Sequence, residues 1–288
     1  MRSISLKARA KINLGLDVLR KREDGYHEVK MVMQTINIYD KIYMKIIEKP
    51  EIKIVTNLSF LTTNESNLVY KAIQMLRDEF NIEKGVFANV YKYIPVAAGM
   101  AGGSTDAAAA MIGMNKLFKL GLSREELMER AVKIGADVPY CIMGGTALAE
   151  GIGEKLSQLK PLKRCSILVA KPDISVSTKF VYTNLKLDEN TVHPDMDGVL
   201  EAIDSSDVET MAKKMSNLLE SVTAVKYPQI EEIKKSMIEL GAINSIMSGS
   251  GPTVFGIFGN RKEAKKAYKT IKEKGIAKRL FLTESFNK

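Results

Sequence analysis

The stretch from Tyr93 to Phe118, YIPVAAGMAGGSTDAAAAMIGMNKLF, constrains this chain more than any other. A strand-like run ends at Pro95, a connection containing Gly99, Gly102 and Gly103 follows, and Ser104 opens an alanine-rich segment with Asp106 in its first turn. Alanine is the strongest helix former and serine a good N-cap, so the pattern reads strand, glycine loop, helix. Backbone N–H groups at a helix N-terminus lack partners and sit at the positive end of the helix dipole, and glycine lets phosphate oxygens approach them. The loop is not a Walker A motif, because no lysine precedes its Ser-Thr pair, and it is not GxGxxG. Taken alone, it is as compatible with plain packing as with anion binding.

The residues around this loop alternate between strand and helix signals. Ile4, Leu6, Ala8, Ala10, Ile12, Leu14, Leu16 and Val18 fall on one face, with Lys7, Arg9, Lys11, Asn13 and Asp17 on the other, which predicts a long half-buried strand. Asp24-Gly25 is a hairpin signal, after which 26–39 returns as a strand and 43–55 gives another strand or two. Helical spacing over 67–80, a strand over 86–94, a capping box at Ser123 and Glu126 opening a helix that stops at Gly135, and a strand near 146–149 complete this half. From about residue 156 the order is β, α, α, β, β, α, β, with the turn SGSG between two strands at 243–247 and 253–258. That order suits a ferredoxin-like α+β domain. The boundary is expected near 155, dividing the chain into 1–155 and 156–288, with no low-complexity linker and no internal repeats.

Composition narrows the function classes. With 45% hydrophobic and 27% charged residues, the 288-residue chain is neither disordered nor collagen-like. A net charge of +9 favours anionic partners such as nucleotides, phosphorylated metabolites or nucleic acid, although a lysine-rich surface also serves solubility. Two cysteines (Cys141, Cys165) and two histidines (His27, His193) make no CxxC, HExxH or zinc spacing, so no protein-built metal site is expected. The N-terminus carries charges where a signal peptide needs an apolar core, and the apolar window 94–114 is broken by Pro95, its glycines and Ser104, Thr105 and Asp106. The expectation is a cytoplasmic protein with no membrane partner.

Four features could carry chemistry. Asp137, in GADVPYC, is either the N-cap of a short helix before Pro139 or a general base taking a proton from an attacking hydroxyl. Lys11 and Asn13 share the polar face of the first strand, where a lysine is either solvated or set to neutralise a γ-phosphate and lower the pKa of a neighbouring aspartate. The segment SGSGPT (248–253) is either a hairpin turn or a second phosphate-facing loop. Tyr26, His27 and Tyr182 are either stacking platforms for a base or ordinary packing.

Four segments, in order, resemble the GHMP family of small-molecule kinases: AKINLGLDVLRKREDGYHEV (Ala10 to Val29), PVAAGMAGGSTDAA (Pro95 to Ala108), GADVPYCIMGGTALAEGIGE (Gly135 to Glu154) and MSGSGPTVFG (Met247 to Gly256). The resemblance implies a two-domain fold, N-terminal ribosomal protein S5 domain 2-like and C-terminal ferredoxin-like. It implies phosphoryl transfer from ATP, with Mg2+ carried mainly by the nucleotide, to a hydroxyl of a cytidine diphosphate sugar alcohol in isoprenoid precursor synthesis. Asp137 would be the catalytic base and Lys11 its charged partner. Pro95, Gly99, Gly102, Gly103, Ser104 and Thr105 would wrap the ATP phosphates, and Asn67 would contact the adenine end. Asn13, Tyr26, His27, Tyr182, Gly249, Ser250 and Gly251 would hold the second substrate. Where the family loop reads GLGGGSS, this chain has Met100, Ala101 and Thr105, so a methyl stands where a glycine is expected. The implied partners are small molecules only, with the chain a monomer or weak homodimer. A GHMP kinase acting on homoserine or a mevalonate-type acid would not need Gly25-Tyr26-His27, and an RNA-binding protein would need neither Asp137 nor Lys11.

Overall fold

The computed structural model describes residues 2–287. Its contacts form two compact, discontinuous units: the chain up to Ala10 with 38–96 and 101–143, and 11–37 with 97–100 and the chain from Gly144 onward. Two long strands, β1 (Ser3–Lys21) and β2 (His27–Ile47), contribute to both. The turn expected between them is present, with Gly25 at φ +84° and the Arg22 N–H donating to the Tyr26 carbonyl at 2.8 Å. β2 continues without a break to Ile47, past the point where the sequence suggested separate strands.

In the first unit, β3 (Ile52–Thr56) lies parallel to β4 (Gly85–Tyr91), which pairs antiparallel with Lys41–Ile47 of β2. Four helices complete it: α1 (Leu68–Glu79), α2 (Gly102–Phe118), α3 (Arg124–Ala131) and α4 (Val138–Met143). α1 buries Val69, Ala72, Ile73 and Leu76, the stripe its spacing predicted. α2 is alanine-rich because nearly its whole surface is buried: Ala107 to Met111, Met114 and Leu117 are all in the core, and a Cβ on Gly113 would sit 2.4 Å from the Met44 sulfur. The capping box of α3 is formed as expected, but the helix gives way to a turn after Ala131, before Gly135.

In the second unit, β5 (Thr146–Gly151) pairs antiparallel with Val29–Gln34 of β2 and with β6 (Lys155–Gln158). A separate antiparallel sheet has the order β10-β7-β9-β8, from β7 (Ser166–Lys171), β8 (Ala242–Met247), β9 (Val254–Phe258) and β10 (Arg279–Glu284). The central strands β7 and β9 have both faces buried, hence their unbroken apolar runs. α9 (Gln229–Glu239) precedes β8 and α10 (Arg261–Lys274) joins β9 to β10, so the ferredoxin-like α+β order holds. Four short helices lie between β7 and α9: α5 (Thr178–Asn184), α6 (Met196–Asp204), α7 (Val208–Lys214) and α8 (Glu220–Lys226). A left-handed Ser206 and a new N-cap at Asp207 separate α6 from α7.

Candidate active site

The loop before α2 is built on left-handed residues. Ala97 (φ +50°), Gly99 (φ +70°) and Ala101 (φ +55°) alternate with ordinary ones. Such alternation aims successive N–H groups into one concavity, an anion-binding nest. A left-handed non-glycine residue costs roughly 1–2 kcal/mol, so two alanines in this state are a conformational expense set against binding. The helix starts at Gly102, not at Ser104 as expected, and Ala101 supplies no side-chain cap, so the first-turn amides have no capping side chain. Gly102 and Gly103 are helical and not left-handed; the position where only glycine fits is Gly99, whose Cβ would lie 2.2 Å from the Ser248 carbonyl oxygen. Pro95 and Ser104 are half-buried. Thr105 is buried, and its hydroxyl donates to the Arg9 carbonyl at 2.7 Å, so that hydroxyl holds the fold together.

The polar face of β1 is not the solvated face its period suggested. From Ala10 to Val18 both faces are buried, which puts Lys11, Asn13 and Asp17 at 5% exposure or less. The Lys11 ammonium donates to Asn13 Oδ1 at 2.7 Å, and the Lys11 N–H donates to the Met100 carbonyl at 3.3 Å, which ties the strand to the glycine loop. The β8–β9 connection, Ser248 to Thr253, is also buried. Its Ser248 hydroxyl donates to the Gly99 carbonyl at 2.9 Å, bringing both glycine loops together. A Cβ on Gly249 (φ +58°) would lie 3.6 Å from Asn13 Oδ1. Gly251 is left-handed as well, and the Ser250 hydroxyl pairs with Thr178 at 2.8 Å.

Asp137 is half-buried and immediately precedes α4, where its carbonyl accepts the Cys141 N–H at 3.1 Å. Asn67 is the N-cap of α1: its Oδ1 accepts from Val69 N–H at 2.8 Å and its amide donates to the Thr62 carbonyl, so a helix cap is the role its geometry displays. Tyr26 stands at the hairpin with 60% of its surface exposed. The His27 and Tyr182 rings meet with centroids 5.1 Å apart at 40°. Burial, then the nearby Lys21 charge, hold the His27 imidazole below its usual pKa, favouring the neutral ring. His27 also lines a cavity of about 480 Å³ with Leu19, Arg20 and His193, and His193 pairs with the buried Asp17 at 2.8 Å.

One cluster at this loop has no motif. Lys92, buried on β4's extension, bonds Asp40 and, at 2.6 Å, Asp106 of α2, and reaches the Gly102 carbonyl at 3.3 Å. Asp40 in turn accepts the Ile94 N–H at 2.8 Å. Burial pushes the Asp106 carboxyl well above the usual carboxylate range, with Lys92 pulling it back, and one of its oxygens has no partner. The triad pins the start of α2 to the strand before the loop. Among the described residues, no three His, Cys, Asp or Glu side chains cluster as metal ligands, and no helix is long and apolar enough to cross a membrane.

The GHMP kinases N terminal domain matches residues 67–145 and the GHMP kinases C terminal domain matches 199–277. The chain is 56% identical over 286 residues to 4-diphosphocytidyl-2-C-methyl-D-erythritol kinase of Lachnospira eligens, covering 99% of both chains. It is 47% identical over 284 residues to the kinase of the same name from Clostridium perfringens, again covering 99% of each. Among solved structures, a 4-(cytidine 5'-diphospho)-2C-methyl-D-erythritol kinase superposes with a TM-score of 0.84 at 27% identity, over 99% of this chain and 100% of that one. A homoserine kinase from Cytophaga hutchinsonii shares the fold, with a TM-score of 0.81 at 19% identity over 99% and 95% of the two chains. The chain therefore belongs to the GHMP kinases and, within them, to the 4-diphosphocytidyl-2-C-methyl-D-erythritol kinases.

Proposed function

We propose that this kinase transfers the γ-phosphoryl group of ATP to the 2-hydroxyl of 4-diphosphocytidyl-2-C-methyl-D-erythritol. The observation that carries the reading is the left-handed run Ala97, Gly99, Ala101 leading into α2 without a side-chain cap, a backbone shaped for an anion. The hydroxyl oxygen bonds to the γ-phosphorus as the β,γ-bridging oxygen departs with ADP. Asp137 accepts the hydroxyl proton, and Lys11 neutralises charge on the transferring group; such reactions proceed mainly by positioning and electrostatic stabilisation. Pro95 and Gly99 with the amides of 102–105 hold the triphosphate, and Asn67 contacts the adenine end. Mg2+ would be carried by the nucleotide, with no residue of the chain assigned to hold it, and would supply charge neutralisation on the phosphates. Tyr26, His27 and Tyr182 hold the cytosine, and Asn13 with Gly249, Ser250 and Gly251 the erythritol diphosphate portion.

The chain divides near residue 155, between the two matched family domains, works in the cytoplasm as a monomer or weak homodimer, and takes small molecules and no nucleic acid. Asp137→Asn tests the base: kcat should fall by about 10² to 10⁴ with ATP affinity nearly intact. A folded variant keeping more than about a tenth of wild-type activity would leave Asp137 the helix-terminal residue its backbone already shows.

A further inference from the structure

The C-terminal glycine loop is gripped from behind by one side chain that no motif contains. Asn217 lies in the turn between α7 and α8 and is 4% exposed. Its Nδ2 donates to the carbonyls of Met247 and Gly249, each at 2.8 Å, while its Oδ1 accepts the Leu219 N–H at 3.0 Å. Both amide hydrogens and the amide oxygen are thus engaged, and a flipped amide would set its oxygen against two carbonyls. The helix that follows, α8, holds the Met247 N–H through Glu220 Oε1 at 2.6 Å and the Ser250 carbonyl through the Thr223 hydroxyl at 3.3 Å.

The residues flanking Asn217 simultaneously pair with β1. The Leu16 N–H donates to the Ser216 carbonyl at 3.0 Å, and the Leu218 N–H donates to the Leu16 carbonyl at 2.9 Å. Leu16 follows Lys11 and Asn13 on that strand. One short turn therefore sets both the register of the strand bearing Lys11 and the course of the loop that packs on Gly99 and Asn13. In a trans peptide the N–H points opposite to the preceding carbonyl, so fixing the Gly249 carbonyl on Asn217 directs the Ser250 N–H to the other side.

We propose that Asn217 is a positioning residue for phosphoryl transfer, holding the Ser248–Gly251 loop and, through the Leu16 pairing, the Lys11–Asn13 segment in reactive register. This rests on the functional reading above. A small misplacement of reacting groups is costly in rate even where binding survives.

The test uses Asn217→Ala, the isosteric Asn217→Asp, and Asn244→Ala as a matched control. Asn244 makes the same two-carbonyl clamp, to Ala212 and Met215 at 2.8 and 3.0 Å, but none of its clamp bonds reaches the loop. Melting temperature, kcat and both KM values are measured with ATP and the cytidine substrate. Asn217→Ala and Asn217→Asp should lower kcat by about ten-fold or more, with both KM values within about three-fold, because a transition-state alignment is lost. Asn244→Ala should lose comparable thermal stability with kcat unchanged. A folded Asn217 variant with wild-type kcat, an equal kcat loss in Asn244→Ala, or failure of both Asn217 variants to fold would each overturn the positioning role. Inactivity of the wild type itself with the cytidine substrate would instead overturn the functional reading, a result distinguishable because the unaltered chain fails.

Discussion

The Lys11 ammonium donates to Asn13 Oδ1 across 2.7 Å, and both side chains are buried in the middle of β1. A charged group withdrawn from water is retained only where something compensates it. In the proposed reaction the Lys11 charge stabilises the anionic γ-phosphoryl group as it transfers. Lys11→Met, which keeps the stem and removes the charge, should therefore lower kcat by about 10² to 10³ while the protein stays folded. Steady-state kinetics and circular dichroism check it; a folded variant with wild-type kcat would leave the lysine without a role in transfer.

The glycines of the phosphate loop divide into two kinds. Gly99→Ala forces a Cβ to within 2.2 Å of the Ser248 carbonyl at a φ of +70°, and should destabilise by about 3 kcal/mol or more. Gly103 is helical and exposed, and its Cβ would meet only Leu68 at an ordinary 3.5 Å. Gly103→Ala should thus raise stability by about 0.5–1 kcal/mol yet weaken ATP by about ten-fold, since the methyl occupies the approach of the phosphates. Thermal melts beside calorimetric ATP titration separate the two; unchanged ATP affinity would make Gly103 a packing residue.

Tyr26 is exposed, and in the proposed function its ring stacks on the cytosine. Base–aromatic stacking is worth about 1–3 kcal/mol, so Tyr26→Ala should raise KM for the cytidine substrate by roughly ten-fold, with KM for ATP and the melting temperature nearly unchanged. Equal increases in both KM values, or none, would detach the hairpin from cytidine recognition.

Much of this was legible in the sequence. The spacing of Leu68 to Leu76, the Ser123–Glu126 capping box and the Asp24-Gly25 turn are local signals, and the structure forms each of them. The burial of Lys11 and Asn13 was not legible, because a period of two looks the same whether the polar face meets water or a buried site. The true start of α2 was hidden because left-handed alanines at 97 and 101 carry no residue signature. Asn217 and the Lys92 triad were missed because their partners are remote in the chain; Lys92 and Asp40 are 52 positions apart.

That triad makes its own prediction. Removing the buried cation takes away the shared partner of Asp40 and Asp106, so Lys92→Met should destabilise by about 3–5 kcal/mol. Asp106 behaves oppositely. Its folded pKa is raised above the unfolded value of about 3.9, so its ionisation erodes stability as pH rises from there through the folded pKa. Asp106→Asn, which does not ionise, should gain stability relative to wild type as pH rises above the unfolded carboxyl pKa of about 3.9. Melting temperatures measured as a function of pH decide it; a difference between variant and wild type that stays constant with pH would show that Asp106 is ionised throughout.

Substrate choice is the central claim, and ADP release coupled to a spectrophotometric readout tests it most directly. The purified chain is supplied with Mg-ATP and, in turn, 4-diphosphocytidyl-2-C-methyl-D-erythritol, the same sugar alcohol phosphate without cytidine, homoserine and mevalonate. Rapid ADP release is predicted with the first alone, and at least about 10²-fold lower kcat/KM with the others, because a site built to pair a base's polar edge loses that binding when the base is absent. Equal turnover of the cytidine-free alcohol, or preferential turnover of homoserine or mevalonate, would contradict the account.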